Sequence, residues 1–295
     1  MSTHLALRGI CLTLVVSFAC SSKPVSPTAP SETPTVTPAP SSARLIEDLG
    51  GRQLFPPDNW WNQNISFAPV DTNSAAYIAF IGRTRTLHPD FGPPPYGIPY
   101  VTVGSSQPRV AIGSFLYADE SDVGVPGDAP GYPIPDEART TPNYIEGGEP
   151  GGGSSGDRHM IIVDRDRWML FETFATRWNS ASGRWEADSG AIFNLSSNAR
   201  RPEGWTSADA AGLAILPGLL RYEEVYGSGA ISHALRFTCR STNGYVWPAS
   251  HAAGGTSGAP PLGTRLRLKA SIDLSGYSAP VRKIFEAMKT YGLIL

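Results

Sequence analysis

The chain carries 31 glycines and 27 prolines among 295 residues. Glycine weakens helices through excess backbone freedom, and proline through its missing amide hydrogen. A sequence broken this often builds from short elements joined by turns. Between the breaks lie short β-branched or aromatic runs at 100–103, 110–117, 159–163, 168–174, 191–195, 233–239, 245–247 and 265–272. Each is bounded by Gly, Pro, Asn or Asp, so each reads as a strand. The pattern predicts a mainly β body, an antiparallel β-sandwich or jelly roll, with a few short helices. No internal repeat is visible.

Three helices are predicted. One covers 73–81. A second starts at Thr206, capped by its hydroxyl and by Asp209 three residues on, carries 210–215, breaks at Pro217-Gly218 and resumes to Val225. The third is amphipathic and C-terminal. Ser278 caps it, Pro280 sits in its first turn and Gly292 ends it. Val281, Ile284, Phe285 and Met288 line one face, with Arg282, Lys283, Glu286 and Lys289 opposite.

Apolar residues at 41% and aromatics at 10% are enough for a core and exclude global disorder. A balance of 24 Lys+Arg against 26 Asp+Glu offers no basic footprint, so a nucleic-acid partner is not expected. Lysine occurs only at 23, 269, 283 and 289, which removes lysine-based covalent chemistry from the segment between.

The N-terminus reads as an export signal over residues 1–20. Arg8 supplies its charge and 10–18 a short apolar run. The run ends Phe18-Ala19-Cys20, which resembles a lipobox apart from its bulky Phe18. Lipidation of Cys20, or ordinary cleavage nearby, is expected. Residues 21–43 hold six prolines among Ser, Thr and Ala. Extended at the polyproline rise, this spacer reaches roughly 70 Å. The rest, 44–295, reads as a single β-rich domain. Cys239 is its one cysteine, so it has no internal disulfide. The chain stops on Gly292-Leu293-Ile294-Leu295, an apolar run that reads as the start of a strand.

The strongest chemical signal lies at 156–174. Two apolar runs flank Asp164-Arg165-Asp166-Arg167 and predict a hairpin. A loop centred there sets Val163 opposite Trp168, Ile161 opposite Leu170 and His159 opposite Glu172. A carboxylate beside an imidazole suits acid/base work; the structural alternative is an ion pair at a sheet edge. Asp209, His233 and Arg236 are further catalytic candidates. Asp209 is equally explained as a helix cap, and His233 as a core residue. His88 and His251 read as turn and loop residues.

Trp178, Trp185 and Trp205 lie in polar, turn-rich contexts and are candidate faces for stacking on sugar rings. Arg265, Arg267 and Lys269 alternate with apolar residues. They read as a solvated sheet face, or as a basic strip beside an anionic polymer. The Gly-rich stretch 149–156 lacks a phosphate-loop ending and reads as a surface loop or a lid. The acidic run 119–122 matches no calcium loop. No HExxH, paired-His spacing or nucleophile elbow occurs, so no metal or cofactor is predicted.

The strings Leu54-Phe55-Pro56-Pro57-Asp58-Asn59, Gly156-Asp157-Arg158-His159, 204–213 (GWTSADAAGL), His233-Ala234-Leu235-Arg236-Phe237 and 266–271 (LRLKAS) resemble a group of secreted bacterial proteins of unassigned function. The likeness runs from about residue 50 to the end. It implies export but no reaction. Members of that group continue beyond the equivalent of Leu295 through a segment with Asp-Asn-Gly, so this chain is expected to lack a C-terminal piece.

Two functional expectations follow. One is an exported, surface-tethered monomer acting on polysaccharide by hydrolysis or elimination, with His159 and Glu172 as acid/base pair. The other is a non-catalytic glycan-binding or cell-envelope module. Contact with membrane is expected only through a lipid on Cys20.

Overall fold

The computed structural model describes residues 42–92 and 96–295. The export signal, Cys20 and all but the last two residues of the spacer lie outside the described residues. Among the described residues eleven strands form, in chain order β1 (Arg44–Leu45), β2 (Val101–Val103), β3 (Ile112–Phe115), β4 (Met160–Asp164), β5 (Met169–Phe174), β6 (Arg177–Asn179), β7 (Arg184–Ala187), β8 (Ser189–Asn194), β9 (Leu235–Arg236), β10 (Arg265–Leu266) and β11 (Leu293–Ile294). The α-helices are α1 (Ser74–Ile81), α2 (Tyr222–Tyr226) and α3 (Ala279–Thr290). The protein is therefore mainly β, with few short helices.

The strands form three sheets, ordered β1-β2-β4-β5-β8, β10-β11-β9 and β3-β7-β6. Purely antiparallel pairing was expected, but each sheet contains one parallel pair: β2 with β4, β11 with β9, and β3 with β7. Each of these pairs joins strands far apart in sequence. The long connections between them, which include α3 between β9 and β11, supply the crossovers that parallel pairing needs.

The central sheet is buried on both faces. Ile161, Val163, Leu170, Ala191 and Phe193 point to one core, which is closed by Leu54, Trp61, Leu213, Ile215 and Leu216. Met160, Ile162 and Phe171 point to the other, which is closed by Tyr132, Ile145 and Trp185. Strand alternation sorts the two sets. Among the described residues, no helix is long and apolar enough to cross a membrane.

The hairpin forms, but its register differs from the expectation. Asp164 pairs with Met169, Val163 with Leu170 and Ile161 with Glu172. The Asp164 carboxylate accepts the Arg167 amide at 3.1 Å, and Trp168 adopts φ 54°. These two features lengthen the turn and start β5 one residue later. The slip is two residues, so every side chain keeps its face. His159 and Glu172 share a face without being opposed; the His159 ring instead lies 5.6 Å from that of Phe174.

Two other expectations are corrected. No helix forms over 206–215. Gly212 sits at φ 72° there, and a Cβ on it would lie 2.7 Å from the Trp205 carbonyl. A short 3-10 turn at Leu216–Gly218 follows. In the 265–272 strip only Arg265–Leu266 pairs as a strand. Arg265 donates to the carbonyls of Tyr291 (2.7 Å), Trp60 (2.8 Å) and Gln63 (3.0 Å), and Arg267 to those of Ile65 and Ala68. Burial lowers the Arg265 pKa to about 10. These arginines fasten the 60–68 segment and form neither a solvated face nor a polymer strip.

Candidate functional site

The organising feature is a buried segment without regular structure. Residues 206–208 and 211–216 are all buried. Backbone groups there cannot reach water, so side chains from elsewhere must satisfy them. The ionisable residues singled out in the sequence largely do this.

His159 lies immediately before β4, where the left-handed Arg158 (φ 51°) turns the chain into the sheet. Its Nε2 donates to the Ala208 carbonyl at 3.1 Å. Its Nδ1 meets Glu146 Oε2 at 2.7 Å, and the His159 amide donates to the same oxygen at 3.2 Å. The Glu146 amide in turn donates to the His159 carbonyl at 2.9 Å. Burial pushes the Glu146 carboxyl up, but its hydrogen bonds with His159 outweigh this and hold it below the usual range.

Glu172, on β5, is fully buried. Its carboxylate accepts the Ile215 amide at 2.8 Å and the Leu216 amide at 2.9 Å. Burial raises its pKa to about 7, against the lowering effect of those amides and of the Arg236 and His159 charges. Asp209 accepts the Ala211 amide at 2.8 Å through one oxygen and Arg236 Nη2 at 2.7 Å through the other. It is a turn residue and ion-pair partner, not a helix cap.

The same segment takes further supports. Ser189 Oγ donates to the Ser207 carbonyl at 2.7 Å, and Glu120 accepts the Thr206 amide at 3.0 Å. Arg201 donates to the Thr206 carbonyl, and the His251 ring nitrogen Nδ1 lies 2.8 Å from that of Ala210. Glu120 and Asp122 are thereby accounted for, since Asp122 also accepts the Ile192 amide at 2.8 Å.

The structure thus gathers His159, Glu172, Asp209 and Arg236 around one segment and leaves His233 outside it. His233 is buried beneath α2, with Nε2 3.1 Å from Glu224 and Nδ1 2.8 Å from the Ala234 carbonyl. With Arg52 and Arg221 it lines a recess of ≈ 20 Å³. Such a volume admits about one water molecule.

The tryptophan expectations divide. Trp185 is a core residue at 2% exposure and offers no stacking face. It sits opposite Trp178 in the β6–β7 hairpin, with ring centroids 5.5 Å apart. Trp178 and Trp205 are half-buried beneath Arg139 and Arg201, at 5.1 and 5.4 Å. Trp247, not singled out before, is 57% exposed and braced edge-on by Trp60 at 6.0 Å. Tyr222 and Tyr226 are 74% and 63% exposed and stack at 4.7 Å. Their spacing on one helix face was the available signal.

The Gly-rich loop is not a free lid. Gly151 and Gly152 are buried, and a Cβ on Gly152 would lie 2.1 Å from the Thr176 carbonyl. Sequence reasoning also missed Glu146, whose only signal was a carboxylate standing just ahead of that loop.

No protein-family model, no curated protein and no solved structure matches this chain.

Proposed function

We propose that the chain is an exported, surface-tethered and non-catalytic module that binds polysaccharide or another cell-envelope glycan as a monomer. The observation that carries this reading is that both nitrogens of His159 and both oxygens of Glu172 are engaged inside the protein. An acid/base catalyst needs a group turned toward substrate, and neither offers one. Exposed aromatic faces support the binding half of the reading. Trp247 and the Tyr222–Tyr226 pair present flat apolar rings of the kind that stack on sugars. The lipobox-like Cys20, the proline-rich spacer and the likeness to secreted bacterial proteins support export. The near-neutral charge supports a partner other than nucleic acid. The packing of β3 and β7 over one face of the central sheet supports a sandwich-like reading of the fold.

Retention on immobilised polysaccharides tests the proposal. Wild-type protein is expected to be retained without releasing product. Trp247→Ala and the double variant Tyr222→Ala/Tyr226→Ala are expected to lose retention while melting like wild type. Unchanged retention in both variants would remove these faces from the account.

The enzymatic reading keeps one favourable observation. Glu146 and Asp157 place carboxylate oxygens within 4.8 Å of each other beside His159. A pair of neighbouring carboxylates is the apparatus that glycoside hydrolysis uses. Release of soluble oligosaccharide by wild type, lost in Asp157→Asn, would establish that reading over the non-catalytic one.

A further inference from the structure

Glu146, Asp157 and His159 each offer one ligand atom, and the three atoms lie within 4.8 Å of one another. They bracket residues 147–156, six of which are glycine. We propose that this trio binds a divalent transition ion of the zinc or manganese class, which clamps the base of the Gly-rich loop. The inference does not rest on the glycan reading.

The two ring nitrogens of His159 face different groups. Nε2 faces the Ala208 carbonyl at 3.1 Å, and a carbonyl only accepts, so Nε2 carries a proton. The remaining nitrogen, Nδ1, meets a carboxylate oxygen at 2.7 Å. Nδ1 is thus the ring nitrogen turned toward the carboxylates, where an ion shared with them would sit. A backbone carbonyl on the far ring nitrogen is the usual device for orienting a metal-ligating imidazole. Opening the pair by roughly 0.5 Å seats an ion at about 2.0–2.1 Å from each atom.

The donor set gives the class of ion. An imidazole with two carboxylates suits zinc or manganese, whereas calcium and magnesium take all-oxygen shells. Asp157 is exposed and Glu146 half-buried, so the outer side of the trio stays open to water. Placement gives the consequence. Glycines lose the most backbone freedom on ordering, and an ion joining position 146 to positions 157 and 159 reinforces the Glu146–His159 hydrogen bonds that already close the base of the loop.

The test uses the full chain, freed of metal by chelation and titrated calorimetrically with zinc or manganese chloride. Thermal melting and limited proteolysis are read alongside. Wild type is expected to show one saturable site, a higher melting temperature and slower cleavage within 147–156. Asp157→Asn and Glu146→Gln are expected to weaken binding by at least about tenfold. Asp157 is exposed, so its variant carries the test alone if Glu146→Gln fails to fold. Absence of saturable uptake by folded wild type, or unchanged uptake by Asp157→Asn, would overturn the site. Equal stabilisation by calcium chloride would overturn the ion class.

Discussion

Glu172 shows what a single buried carboxyl does when its partners are backbone amides. Burial is the largest influence on it and places its pKa at about 7, above that of an unfolded chain. The folded protein therefore holds this proton more tightly than the unfolded one. The associated stability is complete below the ordinary carboxyl range and is lost as pH rises through 7. The contribution is about 3 kcal/mol. Glu146 and Glu224 act in the opposite sense, because internal hydrogen bonds with His159 and His233 lower both despite burial. Their stability is lost as pH falls through those lowered values. Urea midpoints at pH 5 and pH 8 check the Glu172 effect. Wild type is expected to lose stability across that interval, and Glu172→Gln to lose distinctly less. An equal loss in both would assign the slope to other groups.

Arg265 and Gly212 carry the argument at the scale of elements. Arg265 ties β10 to the Trp60–Gln63 turn and to the end of α3 through three carbonyls. Arg265→Met keeps the side-chain bulk and strands those acceptors, so a loss of roughly 2–4 kcal/mol in denaturant unfolding is expected. Gly212→Ala faces both a left-handed φ and the Trp205 carbonyl at 2.7 Å. It is expected to lower the melting temperature, and an unchanged value would show that the 206–216 segment adjusts freely. Elements were legible where one pattern ruled. The apolar stripe of α3 and the β-branched and aromatic runs of β4, β5 and β8 led directly to observed structure, although Ser278 makes no side-chain cap bond. The Thr206 segment misled because Ala210, Ala211, Leu213 and Ala214 have good helix propensity, while burial on all sides and Gly212 favoured an irregular path. The β6–β7 hairpin went unread because Arg177, Asn179, Arg184 and Glu186 are too polar to mark a strand.

At the scale of the molecule, the same ionisable residues that look catalytic in the sequence hold an irregular segment in the core. Residue type brought His159, Glu172, Asp209 and Arg236 to notice, but only coordinates show what they face. The two-residue slip of the hairpin was invisible because it is set by Asp164 and the left-handed Trp168. Glu146 lies 13 residues from His159, across a loop whose path no periodicity describes. The central claim, that these groups brace residues 206–216, is tested most directly by amide hydrogen exchange in Glu172→Leu. Leucine suits the apolar face of β5 but accepts no hydrogen bond. The account predicts faster exchange at Ile215, Leu216 and their neighbours, with β4, β5 and β8 still protected. Unchanged protection at Ile215 and Leu216 would contradict it.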